Sequence, residues 1–160
     1  MAASERGIVA TSFDERGFLQ DLTTHGHEAV VHGAPEEATR LAADARTQLA
    51  GYFNGATTQF DVPIDLGVQT EFSQAVLEEV ARLPFGQTAT YAEIGERAGR
   101  ARAARAVGNI LATCPYTVIM PCHRVIHGSR TPEERTSQSV SKANRKGWLL
   151  RFELEVLAGK

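Results

Sequence analysis

Cys122 and His123 stand side by side in the run IMPCHRVIHG, residues 119–128. A free thiol has a pKa of about 8.5 and becomes a strong nucleophile only when a neighbour takes or stabilises its proton. Imidazole is well matched to that task near neutral pH, and it needs a third group to fix its tautomer. Glu153, in the closing apolar segment, is the carboxylate available for this. Sequence neighbours often point apart, so a bridging water would complete the relay, and Arg124 would add positive potential favouring thiolate. Two other readings of Cys122 stay open on these residues alone: a metal ligand, and a small buried filler. The spacing of Cys114, Cys122 and His123 matches no paired CxxC or HxxxH pattern, and His25, His27 and His32 form only a loose cluster. No metal site is expected.

A second set of residues could do electrostatic work. The net charge of −2 argues by itself against a polyanionic partner. The charges are unevenly spread, however: acids outnumber bases up to Leu66, and bases outnumber acids after it. Arg97, Arg100, Arg102, Arg105 and Arg124 lie in a stretch without a single acid. Such a stripe is either the footprint of phosphate binding or a solvated helix face.

The elements that must position these groups can be read from pattern. GIVATSF and ERGFLQDL suggest two short strands joined across Asp14–Gly17. A helix is predicted over 34–55, with Pro35, Glu36 and Glu37 at its start and Leu41, Ala45, Leu49 and Phe53 at helical spacing. Asn54-Gly55 ends it. TTQFDVPIDLG reads as an extended connector in which Pro63 bars a central strand. A boundary near Leu66 divides the chain into an N-terminal α/β part, 1–66, and a second part, 67–160. The second part is mainly helical. TEFSQAVLEEVARLPFG carries Phe72, Val76, Val80 and Leu83 on one stripe, and TATYAEIGERAG opens at a threonine cap with Tyr91 near its start. ARAARAVGNILATCP forms the next helix, ended by Pro115. Two short helices joined by a glycine-containing turn suggest a helix-turn-helix, whose second helix enters a DNA groove. The alternative is an alanine-rich helix packed on a neighbour. Ala101, Ala103, Ala104 and Gly108 are small enough to let a backbone approach a partner closely, with Arg105 the long cation among them. TVIM is expected to be a buried strand from which Cys122 exits into a turn. NRKGWLLRFELEVLAG closes the chain as an apolar helix, and the polar stretch 127–144 reads as a long loop.

Taken together, these motifs resemble the O6-alkylguanine-DNA alkyltransferase family. IMPCHRVI is similar to its active-site signature, and LPFGQTATYAEIGERAG, AARAVGNI and GWLLRFE follow its pattern in the same order. Tyr91, Arg105 and Cys122 stand 14 and then 17 residues apart, the family's spacing. The resemblance covers about Phe72 to Glu153. It implies an α/β N-terminal subdomain of the ribonuclease-H-like kind and a helical winged-helix/helix-turn-helix C-terminal subdomain that binds DNA and accepts the alkyl group. It implies direct reversal of O6-alkylguanine damage by irreversible, single-turnover transfer to Cys122, with His123 as water-mediated base and Glu153 orienting it. Tyr91 would hydrogen-bond the flipped guanine and rotate the 3′ phosphate, and Arg105 would replace the extruded nucleotide. The Cys122 and Val125 carbonyls would read the guanine amino group. Thr90, Ala104 and Gly108 complete the implied DNA-contacting set, the small residues allowing close approach in the minor groove. No cofactor is implied.

The chain departs from the family's pattern in two places. Cys114-Pro115 stands where the family has Asn-Pro, and a thiol is a weak donor and acceptor with which to brace the active-site turn. Residues 129–144 contain no glycine, where the family has a Gly-Tyr-x-Gly-Gly cover over the guanine pocket. Two alternatives stand beside this reading: a non-catalytic lesion-binding or regulatory DNA-binding protein, and, motivated by the rebuilt segment, an alkyltransferase reassigned to another alkyl donor.

Composition sets the outer bounds. A chain of 160 residues with 42% hydrophobic and 22% charged side chains can bury a core and stay soluble. No apolar run is long enough to span a bilayer, and MAASERGIVA lacks the layout of a secretion signal. Two cysteines in the whole chain fit a reducing compartment. The expectation is a cytoplasmic monomer whose partner is double-stranded DNA containing O6-alkylguanine, with no membrane association.

Overall fold

The computed structural model describes residues 1–13, 35–67, 69–128 and 145–159. Two compact units emerge: Met1–Gln69 with Cys114–Ile119, and Thr70–Thr113 with Met120–Lys160.

In the first unit, β1 (Ala2–Ser4) and β2 (Gly7–Ala10) form an antiparallel pair with Ala3 opposite Ile8. GIVA is thus a strand, but its partner is the segment just before it, joined through Glu5-Arg6. The expected second strand at 15–22 lies outside the described residues. Beyond the pair, the backbone of β2 bonds the connector: Ile8 N donates to Pro63 O at 2.8 Å, and Asp65 N donates to Ile8 O at 2.9 Å. A side chain on Gly7 would place Cβ 2.6 Å from the Pro63 carbonyl oxygen, so the approach requires glycine. Asp65 is buried, and Ser4 Oγ at 2.7 Å and Arg6 Nε at 3.1 Å satisfy its carboxylate.

Helix α1 (Glu36–Phe53) begins after Pro35 with two glutamates at its positive end, as the dipole favours. It buries Ala38, Leu41, Ala45 and Tyr52. Leu41 and Ala45 join Ile8 and Ile119 in one apolar cluster, with Leu49, Phe60, Val62 and Ile64 packed at its margin. Asn54 follows the helix, and Gly55 at φ 73° turns the chain away.

The second unit opens with α2 (Glu71–Ala81). Thr70 caps it by accepting from Ser73 N at 3.1 Å, and Phe72, Val76, Leu77 and Val80 form its buried stripe. The strand β3 (Ala89–Thr90) leads directly into α3 (Tyr91–Arg97). A turn follows, with Gly99 at φ 81° and Arg102 at φ 63°, and then α4 (Ala104–Ala112). The left-handed Arg102 delays the start of α4 by three residues relative to the sequence expectation. That leaves Ala101 and Ala103 in the turn. A Cβ on Gly95 of α3 would lie 3.2 Å from Arg100 O and 3.4 Å from the Ala103 Cβ, so glycine permits the two helices to close on their turn.

The run TVIM is buried at Val118, Ile119 and Met120, but it is not a strand. Tyr116, just before the run, forms an isolated bridge with Thr11, and Val118 reverses the chain at φ 73°. The β-branched composition reported burial there and not extension. Cys122 therefore opens a 3-10 turn, Cys122–Arg124, whose N-terminal flank is Pro121. The turn runs straight into β4 (Val125–Ile126), parallel to β3. Helix α5 (Arg145–Leu157) closes the unit. The expected loop and its unusual composition at 129–144 lie outside the described residues, as do His25, His27 and His32.

Candidate active site

The 3-10 turn places three consecutive side chains in different settings. Cys122 is half-buried, while His123 and Arg124 are buried. Glu153, about one turn from the end of α5, is completely buried beneath them. Its Oε1 lies 2.9 Å from His123 Nε2, and Arg124 Nη2 donates to the same oxygen at 2.7 Å. Arg124 Nε reaches both carboxylate oxygens at 3.1 Å, and Gly86 N donates to Oε2 at 2.8 Å. The remaining reach of Arg124 goes to Leu83 O at 2.6 Å. A buried carboxylate with so many donors is held in one orientation, and burial without them would be prohibitive.

Burial alone would push the Glu153 pKa up, but hydrogen bonds and charge from His123 and Arg124 outweigh it and hold the group at about 2. Glu153 is therefore ionised and accepts from His123, which assigns the proton to Nε2 and leaves the lone pair on Nδ1. Burial lowers the His123 pKa below its ordinary value, with help from Arg124 and Lys146 and against the pull of Glu153. The ring is neutral at neutral pH. A neutral, tautomer-locked imidazole next to a thiol is equipped to take a proton.

The expectation for Arg124 is corrected here. Its guanidinium does not serve as free positive potential beside Cys122, because Glu153 neutralises it in a buried pair. Nor does it belong to the exposed basic stripe, which consists of Arg97, Arg100, Arg102 and Arg105. Arg100 of that stripe lies over the Phe72 ring at 4.4 Å.

Tyr91 sits at the first position of α3. Its preceding residue, Thr90, is the cap: Thr90 Oγ1 accepts from Glu93 N at 3.1 Å, and Glu93 Oε2 accepts from Thr90 N at 2.6 Å. Thr90 is buried and its hydroxyl oxygen is engaged in that reciprocal cap, so its geometry serves the placement of Tyr91. The Tyr91 ring packs against His127 with centroids 4.8 Å apart. Across from it, a Cβ on Gly108 of α4 would come to 4.0 Å of two ring atoms. Arg105 is exposed on the same helix, one position beyond half-buried Ala104. Val125 offers its carbonyl toward Lys146, whose Nζ bonds both Val125 O and, at 3.2 Å, Tyr91 Oη.

The structure thus brings Cys122, His123 and Glu153 to one turn and its underlying helix, and Tyr91 and Val125 to one lysine. Arg105, Ala104 and Gly108 share α4. Sequence reasoning missed Lys146, the Gly86 amide and the clamping role of Arg124. Lys146 carried a signal: it precedes Glu153 by seven residues, two helical turns, and so shares its face of α5. Among the described residues, no three side chains cluster as metal ligands and no helix is long and apolar enough to cross a membrane.

Comparison with known proteins bears on this arrangement. Residues 71–155 match the profile of the 6-O-methylguanine DNA methyltransferase, DNA binding domain. The chain is 45% identical over 87 residues to a methylated-DNA–protein-cysteine methyltransferase of Mycobacterium leprae, covering 54% of this chain and 52% of that protein. It is 34% identical over 120 residues to a DNA base-flipping protein of Thermus thermophilus, covering 74% of this chain and 78% of that one. The match spans about half the length of the first curated relatives. Among solved structures, it is similar to Mycobacterium tuberculosis OGT in complex with DNA, with a TM-score of 0.61 and 38% identity over 71% of this chain and 68% of that one.

Proposed function

The chain belongs to the 6-O-methylguanine DNA methyltransferase family, and from that premise we propose that it repairs O6-alkylguanine in double-stranded DNA by one irreversible transfer of the alkyl group to Cys122. The observation that carries the proposal is the buried contact between His123 and Glu153, built into the turn that Cys122 opens. His123 Nδ1 takes the thiol proton through a bridging water. The sulfur attacks the alkyl carbon, so an S–C bond forms as the C–O6 bond breaks. The electron pair leaves with guanine, which is neutralised by a proton. Tyr91 donates a hydrogen bond to the base as that charge develops, and the Cys122 and Val125 carbonyls accept from its amino group. A base inside a duplex cannot reach a thiol, so the nucleotide must be flipped out, with Arg105 filling the gap. Ala104 and Gly108 let α4 lie close to the DNA, and Thr90 acts through its cap on Tyr91. The product is a thioether, which a thiol–imidazole pair does not cleave, so each molecule acts once. No cofactor is needed, because the substrate carries its own leaving group.

On this reading the first unit is of the ribonuclease-H-like kind, and the second is the winged-helix/helix-turn-helix unit that binds DNA and accepts the alkyl group. The two-unit division and the short α3–turn–α4 pair support it. The same reading places a division of labour near Leu66, and a monomer in the cytoplasm. A second reading, lesion binding without transfer, is favoured by the likeness to the Thermus thermophilus base-flipping protein. Intact-mass spectrometry after incubation with duplex DNA containing O6-methylguanine separates the two. Transfer predicts the gain of one methyl group, mapped to Cys122, and its loss in Cys122→Ser while DNA binding persists. Tight binding with no mass change would sink the transfer reading and support the second.

A further inference from the structure

We propose that His127 is a positioning residue for the alkyl transfer: its ring forms a wall against Tyr91 that fixes the plane of the phenol, and with it the direction of the phenolic O–H. The inference rests on the repair reading above and deepens it.

The cap at Thr90 fixes where Tyr91 leaves the backbone, but not how its ring is turned. Rotation about the Cβ–Cγ bond of a tyrosine is broad and roughly two-fold. That rotation leaves the oxygen in place, because the oxygen lies on the axis. It swings the hydroxyl proton, which conjugation keeps near the plane of the ring. A tyrosine that donates to a base therefore needs its ring held as well as its backbone.

His127 meets that need from the neighbouring strand. The strands β3 and β4 run parallel with Ala89 beside Val125 and Thr90 beside Ile126, so the next residues along are Tyr91 and His127. Their ring centroids lie 4.8 Å apart with the planes inclined at 48°, a spacing at which aromatic pairs attract. Among the described residues, His127 is the only aromatic side chain against Tyr91. Where α4 faces the ring it has Gly108, so that position offers no side chain to hold it. The backbone that carries His127 is itself pinned. A Cβ on Gly128 would lie 2.9 Å from Thr90 Cγ2 and 3.2 Å from Thr90 Cβ, and Thr90 is buried with its hydroxyl engaged in the cap. Glycine thus lets the chain after β4 lie directly on the cap residue, and one contact ties the start of Tyr91 to the wall beside it. His127 is exposed, so the core does not depend on its side chain. A base presented free or flipped from a duplex meets the same hydroxyl. The wall therefore serves the chemical step on both substrates and not the hold on DNA.

The test compares His127→Ala, which removes the wall, with His127→Phe, which keeps a ring and loses the nitrogens, each with and without Tyr91→Phe. Intact mass follows Cys122 alkylation, giving the maximal rate and half-saturating concentration for methylated duplex and the rate with free O6-benzylguanine. Loss of an aromatic pair predicts a fall in rate of about threefold to tenfold for H127A on both substrates, with half-saturation by duplex unchanged. H127F is expected to recover most of that loss. In the Y91F background H127A is expected to cost nothing further, because no hydroxyl remains to be aimed. A wild-type rate in H127A would overturn the proposal, as would an equal loss with and without the tyrosine hydroxyl. A loss confined to duplex would overturn it in favour of a DNA contact, and H127F as slow as H127A would replace the wall with a role for the imidazole nitrogens. If H127A fails to fold in a thermal melt, H127S takes its place with the same pattern expected. A wild type that transfers nothing overturns the repair reading and this inference with it, a result distinct from an active wild type indifferent to His127.

Discussion

At the scale of the residue, the chemistry depends on how burial and pairing distribute protons. Glu153 has no exposure and its pKa is still held at about 2, because His123 and Arg124 outweigh its desolvation, and the Gly86 amide donates to it as well. His123 shifts in the same direction for a different reason: burial disfavours its imidazolium. Both folded-state pKa values lie below their unfolded values, so the unfolded chain binds more protons as the solution is acidified. The contribution of these two groups to stability is expected to be fully present above pH 6.5, to decline as the unfolded histidine protonates, and to fall further below pH 4.5 towards 2 as the carboxylate is titrated. Urea unfolding across that range measures it, and removal of the trend in Glu153→Gln would assign its lower part. The rate of Cys122 alkylation has a matching signature. Its acid limb should lie below pH 6.5, since the folded ring stays neutral there. An acid limb at or above that value would contradict His123 as the neutral base.

At the scale of the element, short pieces are made definite by their ends. Helix α3 has seven residues, too few to be stable alone, and its reciprocal Thr90–Glu93 cap contributes about 1 kcal/mol while fixing where Tyr91 emerges. Helix α4 starts only after Arg102 has turned through a left-handed conformation, which places Arg105 at its second position, exposed. On the proposed reading, this exposed arginine is the one that enters the duplex. Arg105→Ala is therefore expected to slow repair of methylated duplex far more than reaction with free O6-benzylguanine, whose base needs no unstacking. Unstacking costs a few kcal/mol, so the difference between the two substrates should exceed about tenfold. Single-turnover rates on both substrates decide it, and equal losses would make Arg105 a structural residue.

At the scale of the whole molecule, the first unit is assembled from segments far apart in the chain. Cys114–Ile119 joins residues 1–69 through Thr11 N to Pro115 O at 2.8 Å, Thr11 Oγ1 to Thr117 O at 2.7 Å, and Tyr116 Oη to Asp65 O at 2.8 Å. The chain then leaves this unit for Pro121 and Cys122, with strained Val118 just before the exit. Tyr116→Phe removes one of these ties and leaves a buried carbonyl short of a donor, a loss of about 1–2 kcal/mol in urea unfolding. Burial, with Cys114 and Asp65, pushes the Tyr116 pKa up from 10.0 to about 12. The folded state keeps that proton longer than the unfolded one, so its contribution is present below pH 10 and lost as pH rises through about 12. Alkaline unfolding in that window should be shallower in Tyr116→Phe, and an unchanged profile would remove Tyr116 from the account.

Short stretches of the chain specify only local features. Helical spacing and capping residues located α1, α2, α3 and α5 to within a few residues, because amphipathic period and caps act over a turn or two of chain. The order of motifs carried the family, and the Cys-His pair with a distant glutamate carried the chemistry to look for. Partners across the chain were decided only by the tertiary structure. GIVA reads equally well as a strand whichever neighbour it pairs with, and TVIM is β-branched and buried whether extended or turned, since periodicity reports burial and not backbone direction. Arg124 is a basic residue in a basic run until the fold sets it 2.7 Å from Glu153 and removes its charge from the surface. Lys146 becomes a candidate for function only when α5 carries it to Tyr91 and Val125. These hydrogen bonds and the buried ion pair join groups 29 to 55 residues apart, and their geometry is a property of packing that no single stretch of chain contains.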